Sequence, residues 1–73
     1  MLQNYEVVVV SDVSERDGLG IEVWKDDKLL IEIFRDDGKK VFTISLYETD
    51  MSLDLVEESI DRFKKEIPSS FQD

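Results

Sequence analysis

Apolar and polar residues alternate with period two through three successive stretches of this chain. Leu19, Ile21 and Val23 alternate with Glu22 and Trp24. Leu29, Ile31 and Ile33 share one side, and Leu30, Glu32 and Phe34 the other. Phe42, Ile44 and Leu46 alternate with Val41, Thr43, Ser45 and Tyr47. Side chains of a strand point alternately to opposite faces, so this pattern predicts antiparallel strands with one face turned to a core. An earlier β-branched run, Tyr5 to Val10, predicts a further strand. Its inward face is open, because Val7 and Val9 compete with Val8 and Val10. The expected strands are 5–10, 19–25, 29–35 and 40–48.

The linking segments carry turn chemistry. Asp37-Gly38 suits a two-residue type I′ turn, which needs positive φ at both central positions. That turn sets Asp36 against Lys39, Phe34 against Val41, Ile33 against Phe42 and Ile31 against Ile44. Core residues then meet core residues, which a slip by one would undo. At Asp26-Asp27 a two-residue loop would oppose Val23 and Leu30 and so mix the faces. The expectation there is a three-residue loop with a bulge.

After the last strand the period changes. Leu53, Val56, Ile60, Phe63 and Ile67 recur at steps of three and four, which predicts a helix over 53–67 with a narrow apolar stripe. Ser52 or Asp50 can cap its start, Asp54, Glu57 and Glu58 fall early, Arg62, Lys64 and Lys65 fall late, and Pro68 ends it. The fold class is therefore α+β: a four-stranded antiparallel meander with one C-terminal helix packed on one face, in a single domain over residues 1–73. The helix should cover Ile21, Val23, Ile31, Ile33, Phe42, Ile44 and Leu46. A four-stranded sheet is about 15–20 Å wide and one helix covers about 10 Å, so part of that face is left for Leu2, Phe71 or a partner.

The opposite face is unlike a solvated one. It carries Glu22, Trp24, Leu30, Glu32, Phe34, Val41, Thr43, Ser45 and Tyr47, including three of the chain's seven aromatic residues. Large exposed apolar patches on small proteins mark contacts, and Trp and Tyr are over-represented at binding hot spots. The competing reading is that these rings are cross-strand neighbours that stabilise the sheet. Trp24, Phe34, Tyr47, Glu22, Glu32, Leu30 and Val41 are the candidate partner-binding residues.

Composition narrows the chemistry. With 73 residues and no cysteine, the chain must be stabilised by its core or by assembly. The formal net charge of −9 disfavours nucleic acid and anionic membranes and favours a basic protein partner. Met1-Leu2-Gln3-Asn4 has neither a basic region nor a long apolar run, and Val7 to Val10 is too short to span a bilayer, so the expected location is the cytoplasm.

With neither histidine nor cysteine, the chain has no Ser-His-Asp triad, no cysteine nucleophile and no ordinary zinc site. Gly18 and Gly20 lack the third glycine and the following helix of a phosphate loop. The acidic stretch Asp12 to Gly18 departs from a calcium loop, because Arg16 stands where an oxygen ligand belongs and the glycine is displaced. Glu22 and Glu32 share a face, yet so small a domain has no deep cleft for carboxylate catalysis. A nucleic-acid mimic would need long rows of carboxylate, whereas the helix is nearly charge-balanced and the acids cluster in turns. The expectation is a non-enzymatic protein without catalytic residues, metal or cofactor.

The stretch Arg16-Asp17-Gly18-Leu19-Gly20-Ile21-Glu22-Val23-Trp24, followed by Glu32-Ile33-Phe34-Arg35-Asp36-Asp37, resembles a pattern of small uncharacterised bacterial proteins, some similar in size and charge to immunity proteins. The resemblance runs from residue 16 to about 48 and implies an inhibitor of a basic partner. It brings no catalytic residues. The second reading is a homodimer joined through the aromatic sheet face.

Overall fold

The computed structural model describes residues 2–12 and 17–71. A short 3-10 turn, Leu2–Asn4, precedes four strands: β1 (Glu6–Asp12), β2 (Gly18–Lys25), β3 (Lys28–Asp36) and β4 (Val41–Leu46). One helix follows, α1 (Leu53–Glu66). The strands form one antiparallel sheet in the order β1-β2-β3-β4. The α+β meander expected from the pattern is therefore present, with β1 and β4 as the outer strands.

The β2–β3 connection corrects the expected loop length. Lys25 pairs with Lys28 across a two-residue turn in which Asp26 and Asp27 take φ of 52° and 64°. Those values match a type I′ turn, which aspartate tolerates better than most residues. The expected bulge is present between Val23 and Trp24. Leu29 stands opposite Trp24, whereas Ile31 stands opposite Val23, so Leu30 is the inserted residue. Leu30 packs against the core cluster rather than beside Trp24 on the opposite face. The insertion brings Ile21 and Val23 against Ile33 and Ile31, an alignment the two-residue turn alone would have missed.

The β3–β4 register is displaced by two residues from the expected one. Asp36 faces Val41, Phe34 faces Thr43, Ile33 faces Ile44 and Ile31 faces Leu46. The loop spans four residues, 37–40, and no glycine takes positive φ; Lys40 does, at 60°. The carboxylate of Asp36 accepts the Lys39 N–H at 3.0 Å, and this side-chain turn displaces the two-residue solution. A shift of two preserves parity, so each residue keeps its expected face.

The core lies between α1 and the middle of the sheet. Ile21, Val23, Ile31 and Ile33 are buried there against Leu55, Phe63 and Ile67. Val7 and Val9 stand opposite Val23 and Ile21, which settles the open face of β1; Val8 and Val10 lie on the other side. The helical stripe is rotated from the expected one. Leu53 is 70% exposed, whereas Leu55 and Ser59 are buried. Ser59 is tolerated because its hydroxyl donates to the Leu55 carbonyl at 2.7 Å. Ser52 caps the helix by accepting the Leu55 N–H at 3.3 Å. No helix among the described residues is long and apolar enough to cross a membrane.

Candidate interaction surfaces

Three features of the sheet bear on function: the face away from the helix, a buried ion pair at its end, and the β4 edge.

On the outer face, register sets Val8, Glu22, Glu32 and Ser45 in one row across four strands. Glu22 and Glu32 are therefore directly opposite, and both are half-buried. Like charges facing each other across an antiparallel pair weaken it. Beside them, the Trp24 Nε1–H donates to Glu22 Oε1 at 3.0 Å, which fixes the indole along the face. Trp24 is half-buried, and Tyr47 and Val41 at the β4 end are exposed.

Phe34 belongs to the same face but offers it no surface, being 0% exposed. Its ring lies over two glycines of β2. A Cβ placed on Gly20 would come within 2.7 Å of the ring, and one on Gly18 within 3.2 Å. The Gly-x-Gly spacing puts both glycines on the ring's side of the strand, and that spacing is the signal sequence reasoning missed. Of the seven candidate residues, the outer face thus gathers Glu22, Trp24, Glu32, Val41 and Tyr47. Phe34 is buried, and Leu30 packs with the core.

Arg35 is the second feature, unanticipated as a core residue. It is 2% exposed, with Nε to Asp37 Oδ1 at 2.9 Å and Nη2 to Oδ2 at 3.2 Å. Its Nη1 donates to the Pro68 carbonyl at 2.9 Å, which ties the segment after α1 to the end of β3. The Asp37 N–H donates to the Asp17 carbonyl at 2.6 Å. Asp36 and Asp37 are both buried, so this acidic turn is structural rather than a solvated steering group.

The third feature is β4. Helix α1 lies over β2 and β3, leaving Phe42, Ile44 and Leu46 between 44% and 50% exposed on the helix side. A groove of about 590 Å³ runs between Phe42 and Ile44 on one side and Ile60, Phe63 and Ile67 on the other. Phe71 packs on Phe42, with ring centroids 4.9 Å apart. The expected shortfall in helix coverage is thus real, and it falls on the β4 side.

The candidate calcium stretch includes residues 13–16, which lie outside the described residues. Among the described residues no group of three or more acidic side chains is placed to hold a metal ion. Searches against family models, curated proteins and solved structures found no match to this chain.

Proposed function

We propose that this chain is a non-enzymatic acidic protein-binding module that takes a basic partner on the outer face of its sheet, as an inhibitor or immunity protein would. The observation that carries the reading is the in-register pairing of Glu22 with Glu32 beside a Trp24 held by Glu22. Two adjacent carboxylates concentrate negative charge on this face, which favours a guanidinium or ammonium group from a partner. Trp24 and Tyr47 supply flat apolar anchors, both on the β2–β3 turn side of the acidic row, while the excess of acids over bases speeds encounter with a cationic surface. Occlusion needs only shape and charge, in keeping with a chain that has neither histidine nor cysteine.

Affinity capture with the full chain, compared across variants, tests this. Basic proteins retained by the wild-type chain should be lost with Trp24→Ala and with Glu22→Gln/Glu32→Gln, and should elute as salt is raised. An identical retained set for all three chains would remove the outer face from consideration.

A further inference from the structure

We propose that β4 pairs antiparallel with β4 of a second copy of this chain, about a twofold axis through Ile44, to give a continuous eight-stranded sheet. This seam is separate from the outer face and does not rest on the function proposed for it.

Among the described residues, none pairs with the outer edge of β4. Natural edge strands are blunted by lysine, proline, bulges or inward-pointing charge. The six residues of β4, Val-Phe-Thr-Ile-Ser-Leu, contain no charge and no proline, and their pairing with β3 is regular throughout. The other edge differs. Strand β1 begins with Glu6 and ends with Asp12, so self-pairing centred on Val9 would oppose acid to acid.

Backbone parity then selects the register. The Tyr47 N–H donates to the Leu30 carbonyl at 2.9 Å, in line with the β3–β4 register. Tyr47 therefore turns its backbone groups toward β3, as do Ser45, Thr43 and Val41, because these groups alternate in direction along a strand. Phe42, Ile44 and Leu46 present theirs to the outer edge. An antiparallel partner must offer the same set, so only even-numbered residues can face even-numbered residues across the seam.

Centring on Ile44 makes the strand complementary to itself. Ile44 meets Ile44 of the second copy, and Phe42 meets Leu46. On the outer face Thr43 meets Ser45, and Val41 meets Tyr47. Beyond the strand, Lys40 meets Glu48, twice by symmetry, so the ends attract where those of β1 would repel. Glu48 also pairs with Lys28 of its own chain, on the β3 side, so Lys40 of the second copy would share this carboxylate with Lys28. Moving the centre by one residue either way loses the Lys40–Glu48 match.

Size is consistent with a reversible dimer. Val41, Phe42, Ile44, Leu46 and Tyr47 leave about half of each side chain in water. At roughly 200 Å² per large apolar side chain, complete burial would remove about 1,000 Å² from both copies, so an edge-to-edge seam lies at or below the lower limit for a specific interface and gives a weak dimer. The interface is isologous and closes on itself, so it stops at two copies.

Sedimentation equilibrium and cysteine cross-linking of the full chain test the seam. The mass should rise toward that of two chains from micromolar to millimolar concentration. Ile44→Lys should hold the chain monomeric with its far-UV circular dichroism unchanged. Lys40→Glu or Glu48→Lys alone should weaken association about tenfold, each acting at two contacts, and the double reversal should restore it. The chain has no cysteine, so Ile44→Cys reports contact between copies alone. Paired residues across the seam stand about 5.5 Å apart at Cα, within disulfide reach. Oxidation should couple Ile44→Cys and leave Val9→Cys on the other edge uncoupled. A chain monomeric at millimolar concentration, or coupling at Val9 equal to that at Ile44, would overturn the proposal.

Discussion

The three glycines of this chain should respond to alanine in an order opposite to the one their sequence context suggests. Asp37-Gly38 reads as a turn that needs glycine, whereas Gly18 and Gly20 sit in a strand, where alanine would ordinarily help. The structure reverses this. A Cβ on Gly18 would overlap the Arg35 carbonyl oxygen, and one on Gly20 would overlap that of Ile33 and lie 2.9 Å from the Phe34 Cα. These obstacles are backbone atoms of the paired strand, so relief requires β2 and β3 to part. Overpacking costs about 1–3 kcal/mol, and each lost ladder bond adds about 1 kcal/mol, which together give about 3 kcal/mol for either substitution. A domain of this length has a total stability of about 4–11 kcal/mol, so about a quarter or more is at stake. At Gly38 the nearest atom is Asp36 Oδ1 at 3.5 Å and φ is not positive. Alanine there should be neutral or stabilising by about 0.4–1 kcal/mol through the unfolded chain. Urea unfolding followed by the fluorescence of Trp24, the sole tryptophan, measures all three. Gly18→Ala and Gly20→Ala within 1 kcal/mol of wild type, or Gly38→Ala the worst of the set, would refute the close-approach argument.

The remaining predictions concern single side chains. Asp37→Ala leaves Arg35 buried without its bidentate acceptor and should cost about 3–5 kcal/mol by urea unfolding, while Arg35→Met with Asp37→Ala should recover part of that loss. Leu55→Ala should cost about 2–5 kcal/mol and Leu53→Ala less than about 0.5 kcal/mol, which thermal melts would separate. Glu32→Thr should leave stability within about 0.5 kcal/mol of wild type while weakening capture of a basic partner. A loss of both stability and capture would show that Glu32 supports the sheet rather than serving a partner.

What could be read from the sequence depended on parity more than on turn chemistry. Period two assigned nearly every strand residue to its face, and those faces survived a two-residue error in the β3–β4 register because such a shift keeps parity. The turn departs from its sequence pattern: Asp-Gly favours a two-residue loop, but the bond from the Lys39 N–H to the Asp36 side chain lengthens it. Leu30 escaped the pattern because a bulge breaks parity locally. The helix was legible from its caps and charges, yet Ser59 hid the centre of its buried stripe; its hydroxyl bonds within the helix, and nothing in its residue type announces that. Phe34 was placed on the outer face, but its burial depends on two glycines one strand away. Arg35 shared the inward parity of Ile31 and Ile33, with Asp37 two residues on. That combination was the available sign of a buried pair.

The two proposed surfaces interact through geometry, and this yields a last prediction. Pairing through β4 leaves both outer faces on the same side of one sheet. Three strand spacings of about 4.8 Å separate β3 from its mate, and the seam offsets their rows by two residues, so the two Glu32 residues stand about 16 Å apart and the centres of the two Glu22–Glu32 pairs about 20 Å apart. A basic partner displayed at high density, or carrying two cationic sites at that span, would be held twice, and linking two sites raises apparent affinity without any new contact. Ile44→Lys leaves Glu22, Trp24 and Glu32 untouched, so it should not change 1:1 affinity in dilute solution. It should shorten residence on a surface coated densely with the captured partner, and the wild-type advantage should fade as coating density falls. Equal residence at every density would mean that the seam and the outer face work independently. A loss of 1:1 affinity would place part of the partner's footprint on β4 itself.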